Sequence, residues 1–220
     1  MGLLILVHTV PPLLEVFNRL AGEILPAVKL KHILDEPLLE AVRQRGGLEE
    51  SDAERLRSHV MLAESIGANA VLVTCSTISP LVEQIRPQIQ MPIFPIDEAM
   101  IEQAVQAGPR IGVLATNPTT IEPTRELLLD KARSAGKAIE LETKLVPNAL
   151  QAFLAGDGST HDRLLAVAIT DIAPHVDSIV LAQASMARVL EALPPEALTK
   201  PVFSSPHLVL EKLQVYFKSL

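Results

Sequence analysis

The sequence has few aromatic side chains and contains no tryptophan. Aromatic residues make up 3% of its 220 residues, while apolar residues make up 48%. A hydrophobic core must therefore be built mainly from Leu, Ile, Val and Ala. A chain of this length is long enough for one large domain or two small ones.

Cysteine is almost absent as well, because Cys75 is the only one. A single cysteine excludes a disulfide within the chain. No stretch reaches the roughly 18 uninterrupted apolar residues that a membrane-spanning helix requires. The apolar opening at residues 1–7 has no basic start and no small-residue cleavage site, which argues against a secretory signal. We therefore expect a cytoplasmic protein that has no membrane partner.

Long blocks of like charge are also missing. The net charge is −7 at pH 7, and residues of the two signs are interspersed along the chain. Binding to nucleic acid requires clustered Lys and Arg that neutralise phosphates. The charge pattern therefore excludes nucleic acid as the expected partner and favours an enzyme or a small-molecule binding protein.

What the sequence does contain is an internal repeat. Four short runs typical of β-strands recur in the same order, 108 to 111 positions further along the chain. The pairs are Leu4–Thr9 with Gly112–Asn117, Ala27–Leu30 with Ala138–Leu141, Val71–Ser76 with Val180–Ser185, and Pro92–Phe94 with Pro201–Phe203. Four matches in order at a nearly constant spacing indicate a duplication, although regularly spaced strands are common in α/β proteins.

Helical patterns lie between these strands. Ser51 with Glu54 predicts the start of a helix, and Gly67 predicts its end. The other predicted helices are Pro123–Ala135, His161–Ile172 capped by Thr160, Glu98–Ala107 and Leu208–Phe217. Alternating strands and helices predict an α/β fold of two pseudo-symmetric lobes, each a small parallel sheet flanked by helices, with the active site in the cleft between them.

The candidate site residues follow the predicted strands, because ligands bind beyond the carboxyl ends of strands in open parallel α/β sheets. They are His8, Thr9, Cys75, Ser76, Thr77, Thr116, Asn117, Ser185 and Met186. Each of these strand ends, or strand tips, is expected to lead into a helix N-terminus, where backbone N–H groups and the helix dipole attract anions. Small hydroxyl and amide side chains without nearby Lys or Arg favour a small mono- or dicarboxylate.

Cys75 is the best candidate for a catalytic residue. A strand end followed by a helix start lowers the pKa of a thiol and makes thiolate available, although a lone cysteine is more commonly a small core hydrophobe. His8 is a candidate second acid or base, or a residue that orients the ligand; its alternative role is a histidine satisfied by loop hydrogen bonds. His32, His59, His161 and His175 fall in or beside predicted helices without pairing, so we predict no metal site.

Three segments carry a resemblance to a known family: Val71–Thr77, Gly112–Thr116 and Val180–Met186. They resemble the aspartate/glutamate/hydantoin racemase superfamily, which also includes maleate isomerase and arylmalonate decarboxylase. The resemblance extends over nearly the whole chain. It implies an enzyme without metal or pyridoxal cofactor, whose two lobes place one cysteine on each side of the substrate's α-carbon.

When the family's site residues are transferred to this sequence, the resemblance implies that Cys75 is the first-lobe cysteine. It also implies that Ser76 and Thr77 are its anion-binding neighbours and that Thr116 is the second-lobe carboxylate contact. It implies lobes at residues 1–97 and 98–206, with a last helix at 207–220 that returns to the first lobe. A homodimer is possible, because the sequence does not determine the oligomeric state. Two departures from the family stand out: Ala184 is expected at the second cysteine position, and His8 replaces an acidic residue.

The leading hypothesis is a cofactor-independent racemase or isomerase that acts at the carbon next to a carboxylate of a small acid or amino acid. Cys75 is then the base or nucleophile. Because alanine can neither give nor take a proton, one-sided chemistry is the alternative: decarboxylation, or cis–trans isomerisation of the maleate isomerase type. A third hypothesis, from a different class, is a carboxylate-binding protein without turnover.

Overall fold

A computed structural model describes residues 2–194 and 197–220, so that Met1 at the start of the apolar opening lies outside the described residues. The strands are β1 (Leu3–His8), β2 (Lys29–Leu34), β3 (Ala70–Val73), β4 (Ile93–Pro95), β5 (Arg110–Ala115), β6 (Glu140–Leu145), β7 (Ser178–Leu181) and β8 (Val202–Ser204). The helices are α1 (Leu13–Ile24), α2 (Glu36–Arg45), α3 (Glu50–Ser65), α4 (Leu81–Ile85), α5 (Glu98–Ala107), α6 (Pro118–Ser134), α7 (Ala149–Leu154), α8 (Gly158–Ile172), α9 (Val189–Ala192) and α10 (Ser205–Lys218).

The chain divides into two compact units. The first contains the residues up to Ile96 together with Pro206–Leu220, and the second contains Asp97–Ser205. Helix α10 joins the first unit through side-chain hydrogen bonds: Gln214 donates to the carbonyl of Ile24 at 2.5 Å, and the Tyr216 hydroxyl donates to the carbonyl of Asn69 at 3.0 Å. Helix α5 packs in the second unit against α6, β7 and β8.

Each unit is built around a four-stranded parallel sheet, which confirms the predicted fold class. The strand order is β2-β1-β3-β4 in the first unit and β6-β5-β7-β8 in the second. The inner strands β1, β3, β5 and β7 are almost entirely buried, as expected for apolar strands that are covered on both faces. Within the described ranges, no helix is long and apolar enough to cross a membrane.

The edge strands β2 and β6 differ from the prediction. They begin at Lys29 and Glu140, two residues later than expected, and each continues for six residues. Polar and apolar side chains alternate only in the first three residues of each strand, Lys29–Lys31 and Glu140–Glu142, and no residue of either strand is fully buried. Because the alternation does not continue, the bounds of these edge strands could not be read from a period-2 pattern.

Four predicted helix starts are wrong by one to five residues. Helix α10 begins at Ser205, three residues before the predicted Leu208. In the other three helices, residues other than the predicted ones form the cap or the first turn. Helix α3 begins at Glu50 through a capping box between Glu49 and Asp52. Helix α6 begins at Pro118, where proline is favoured in the first turn because its missing N–H has no partner there. Asp157, not Thr160, caps α8 by accepting from the backbone N–H of Thr160 at 3.0 Å. No bounds were predicted for helices α1, α2, α4, α7 and α9.

The strand registers define which residues of the two units are equivalent. In the first unit Val7 of β1 pairs with Val73 of β3, and in the second unit Leu114 of β5 pairs with Leu181 of β7. The registers alone would also allow spacings one residue larger, and the backbone hydrogen bonds decide between the two. Thr74 N–H donates to Val7 and Ala182 N–H donates to Leu114, so Val7 and Leu114 direct their carbonyls at the equivalent neighbouring strand. The spacing is therefore 107 positions between β1 and β5 and 108 between β3 and β7, one less in each case than the sequence matches gave.

A buried carboxylate fixes the loop that follows β2. Asp35 accepts hydrogen bonds from Arg55 at 2.6 and 2.7 Å, lies 2.6 Å from Nε2 of His59, and caps α2 by accepting from Leu38 N–H at 3.2 Å. Burial raises the pKa of the Asp35 carboxyl, but the hydrogen bonds from His59 and Arg55 and the charge of Arg55 outweigh it, so the pKa lies below its ordinary value.

We expect Asp35→Ala to lower the free energy of unfolding at pH 7 by about 3 kcal/mol, because it removes a helix cap and leaves two partners of a buried carboxylate unpaired. Urea titration measures this difference. Asp130→Ala is the matched control, since the Asp130–Arg133 pair is exposed and contributes below about 1 kcal/mol. The Asp35 pKa is depressed on folding, so the difference should shrink as the pH falls below about 4. Equal effects of the two substitutions would contradict this role.

Candidate active site

The first unit brings five of the predicted site residues to the carboxyl ends of two neighbouring strands. His8 is the last residue of β1 and Thr9 follows it, while Cys75, Ser76 and Thr77 follow β3. All five side chains are buried. Since β1 and β3 are hydrogen-bonded parallel neighbours, these residues share one edge of the sheet.

His8 is the centre of a hydrogen-bonded row of side chains. Its Nδ1 lies 2.8 Å from Oγ1 of Thr74, and its Nε2 lies 2.9 Å from Nδ1 of His32. The Thr74 hydroxyl has a single proton, which it donates to the carbonyl of Val7 at 3.0 Å. The row continues beyond His32, whose Nε2 lies 3.0 Å from Oδ1 of Asn18.

Burial makes His8 a weak base. The side chain is 0% exposed, and the ring lies against Phe17 with centroids 5.7 Å apart. Desolvation, followed by the charge of His32, lowers the pKa of His8 to about 3. His8 is therefore neutral at physiological pH, and both ring nitrogens already have protein partners.

Cys75 lies in a series of tight turns that precedes a short helix. The backbone N–H of Ile78 donates to the carbonyl of Cys75 at 3.1 Å, and the Ser79 hydroxyl donates to the same oxygen at 3.3 Å. Helix α4 begins only at Leu81. The expectation that Cys75 stands at a helix start is therefore wrong, and with it the helix-dipole argument for a reactive thiol.

The surroundings of Cys75 combine polar neighbours with core packing. The residue is 8% exposed and belongs to the apolar cluster that also contains Val73, Ile78 and Leu81. Thr9 adds a polar atom at the same sheet edge: its buried Oγ1 has no hydrogen-bond partner among the described residues. A buried hydroxyl without a protein partner is uncommon and calls for an explanation, such as a ligand.

The second unit places the remaining predicted residues at the carboxyl ends of β5 and β7. Asn117 caps α6, because its side-chain oxygen accepts from the backbone N–H of Thr119 at 3.4 Å. Ser185 and Met186 are buried in the short 3₁₀ turn Ala184–Arg188. The tip at Asn117 leads directly into α6, and the tip at Thr9 leads into α1 after three residues. The tips at Cys75 and Ser185 lead into turns instead, which corrects the expectation of a helix N-terminus at every tip.

Thr116 is held by a residue that the sequence analysis did not select. Oε1 of Gln183 accepts from the backbone N–H of Thr116 at 2.6 Å and from its hydroxyl at 3.1 Å. Gln183 is 67 positions away from Thr116 in sequence, at the tip of β7. The only sequence signal was its place after a predicted strand, among residues that were chosen for hydroxyl groups.

The registers also correct the residue that was expected at the second cysteine position. With 108 positions between β3 and β7, the equivalent of Cys75 is Gln183, and Ala184 is the equivalent of Ser76. The turns agree, since Ile78 N–H donates to Cys75 and Met186 N–H donates to Gln183. The sequence matches had placed Ala184 there because they were shifted by one residue.

Several histidines are paired, contrary to expectation. His32 lies on strand β2 beside His8, His59 contacts Asp35, and Nδ1 of His161 lies 2.8 Å from Oδ1 of Asp162. These contacts join residues from different elements or from adjacent positions, which helical spacing does not reveal. Among the described residues, no group of three or more His, Cys, Asp or Glu side chains is arranged to hold a metal ion.

Taken together, the two parallel sheets with small polar side chains at their strand tips define an α/β protein of the racemase type. The family model for Asp/Glu/hydantoin racemases matches residues 9–213, so the chain belongs to that family and is a racemase-like enzyme. This confirms the resemblance seen in the sequence. No curated protein matches the chain significantly.

Solved racemase structures share the fold at low sequence identity. Glutamate racemase from Francisella tularensis, solved in complex with D-glutamate, has a TM-score of 0.73 and 13% identity over 99% of this chain and 81% of its own. Allantoin racemase from Klebsiella pneumoniae has a TM-score of 0.71 and 18% identity, over 100% of this chain and 88% of its own. Aspartate racemase from Picrophilus torridus has a TM-score of 0.70 and 14% identity, over 98% of this chain and 95% of its own.

The depressed pKa of His8 predicts an acid-labile fold. Below pH 6.5 the unfolded chain binds a proton at His8 that the folded protein does not, so stability is lost as the pH falls from 6.5 towards 3. The contribution is about 1.4 kcal/mol per pH unit. His32 and His161 add slope of the same sign, because burial lowers their pKa values too.

We therefore expect His8→Asn to flatten the pH dependence of the unfolding free energy between pH 6 and pH 5 by about 1 kcal/mol per unit. Urea titrations at closely spaced pH values measure the slope for each protein. An unchanged slope in the variant would show that His8 is protonated normally in the folded state.

Proposed function

We propose that this protein is a cofactor-independent enzyme that acts at the carbon next to the carboxylate of a small acid or amino acid, with Cys75 as base or nucleophile. One observation carries the proposal. In the second unit, the Thr116 N–H and hydroxyl bind the amide oxygen of Gln183. The registers make Thr9 and Cys75 the equivalents of Thr116 and Gln183 in the first unit.

This equivalence supports oxygen-binding groups of Thr9 beside the thiol. The Thr116 pair demonstrates that a threonine at this sheet position can direct two donors at one planar oxygen. The equivalent Thr9 hydroxyl is buried and has no partner among the described residues. A carboxylate oxygen of the substrate would satisfy it, with the α-carbon then next to Cys75.

The chemistry follows from these two groups. The Cys75 thiolate removes the α-proton, and negative charge moves onto the carboxylate as an enediolate forms. Preorganised neutral donors stabilise such charge most effectively in a site from which water is excluded. Besides Thr9, we propose Ser76 and Thr77 as donors at the same sheet edge, both of which are buried.

His8 contributes by position in this proposal rather than as a base in contact with substrate. Its neutral ring holds the Thr74 hydroxyl, and Thr74 directly precedes Cys75. Fixing the end of β3 fixes the direction in which the thiol projects. A constraint of this kind matters because small displacements of a reacting group reduce rates strongly.

In the second unit, we propose that Thr116, Asn117, Ser185 and Met186 contribute to the substrate site. The amide at Gln183 also favours a second candidate function. An amide is neither an acid nor a base at neutral pH, so of the two equivalent residues only Cys75 can remove or return a proton. One-sided chemistry on a small carboxylate, either decarboxylation or cis–trans isomerisation, is compatible with this arrangement.

Deuterium exchange tests the first proposal. Because solved structures of similar fold include aspartate and glutamate racemases, both enantiomers of these two amino acids are the first substrates to test. In heavy water we expect one enantiomer of the true substrate to exchange its α-proton without inversion, while the other enantiomer stays inert. Cys75→Ala should abolish the exchange, and Ser58→Ala, which removes an exposed hydroxyl on α3, should retain it. Undiminished exchange by Cys75→Ala would exclude the thiol as base.

A second thiol at position 183 should convert exchange into inversion. We expect Gln183→Cys to increase the rate of racemisation about 10²- to 10⁴-fold, because a positioned proton donor contributes that much. Ala184→Cys is the matched control one residue further along, and it should stay inactive in inversion. Chiral chromatography of the recovered substrate measures both. Inversion by Ala184→Cys but not by Gln183→Cys would contradict the register-based assignment.

A further inference from the structure

The amide of Gln183 has a fixed orientation. Two donors, the N–H and the hydroxyl of Thr116, converge on one side-chain atom of Gln183 at 2.6 and 3.1 Å. Only an oxygen can accept two hydrogen bonds, because the amide nitrogen is a donor. The chemistry therefore settles which end of the amide faces Thr116, and the NH₂ group must point away from it.

The opposite end of the amide is available to a ligand. Nε2 of Gln183 has no hydrogen-bond partner among the described residues, and the side chain is half-buried at the sheet edge. Arg188, at the end of the turn that follows, donates through Nε to both carboxylate oxygens of Asp162. The tip of β7 thus presents two neutral N–H donors.

The backbone around the side chain is fixed as well. Gln183 has an extended backbone, and its carbonyl accepts from Met186 N–H at 3.0 Å, which closes the turn that follows. The residue before it donates through Ala182 N–H to Leu114 at 2.9 Å. With main chain and amide oxygen both held, little conformational freedom remains to be lost when a ligand binds.

We propose that Gln183 determines substrate specificity in the second unit by donating its amide N–H groups to an oxygen of the substrate carboxylate. This inference rests on the proposed function, because it assigns a contact within the same reaction. It replaces the direct carboxylate contact expected of Thr116, whose two donors are occupied by Gln183. Thr116 instead orients the residue that binds.

Binding without turnover separates this inference from the catalytic proposal. Calorimetric titration in a Cys75→Ser background measures dissociation constants for both enantiomers of aspartate and glutamate while chemistry is blocked. Gln183→Glu keeps the acceptor for Thr116 but turns the ligand-facing group into a repelling carboxylate. Gln183→Met keeps the length of the side chain and removes both its donors and the oxygen that accepts from Thr116. Gln103→Glu, on the exposed face of α5, adds the same charge elsewhere in the unit.

We expect Gln183→Glu and Gln183→Met each to raise the dissociation constant of the tightest-binding amino acid about tenfold or more. This is the loss typical of a hydrogen bond to a charged group. Gln103→Glu should change the dissociation constant less than about twofold. Circular dichroism checks that each variant is folded. If Gln183→Glu does not fold, Gln183→Met alone tests the contact.

Two outcomes overturn the inference, and they are distinguishable. If the amino acids bind and both Gln183 variants match the parent protein, Gln183 is no specificity determinant, while the role of Cys75 stands. If none of the four amino acids binds the parent protein at millimolar concentration, the inference fails together with the proposed substrate class. Weakening by both Gln183 variants, with Gln103→Glu unchanged, supports the contact.

Discussion

The parallel pairing of the two inner strands in each unit is the constraint on which the site depends. Pairing of Val7 with Val73, and of Leu114 with Leu181, determines which side chains emerge together at each sheet edge. In a strand, a shift of one residue moves every side chain to the opposite face. The register therefore decides whether a thiol, an amide or a methyl group faces the strand-tip donors.

The strand ends of each sheet show how polar groups are accommodated beside an aliphatic core. The Thr74 hydroxyl and the His8 ring satisfy one another at 2.8 Å, and Thr116 is satisfied by Gln183. Desolvation keeps His8 neutral, with a pKa of about 3. The buried polar atoms are thus paired, with exceptions such as Thr9, whose hydroxyl supports the proposed substrate site.

Much of the fold could be read from sequence because its signals are local. Runs such as Val71–Val73 and Ile111–Ala115 are apolar on both faces and mark inner strands, and the repeat predicted two similar sheets. Uniformly apolar runs, however, contain no alternation that fixes their register against a neighbour. This is why the repeat was aligned one residue out at β3 and β7, and why Ala184 was named in place of Gln183.

The sequence by itself determined the class of fold, the aliphatic core, the strand-tip location of the candidate residues and the family. The tertiary structure alone decided which of these residues interact. The contacts of Thr116 with Gln183 and of His8 with Thr74 span 67 and 66 positions. Such contacts leave no periodic trace in the chain, since they exist only after two parallel strands have paired across a helical crossover.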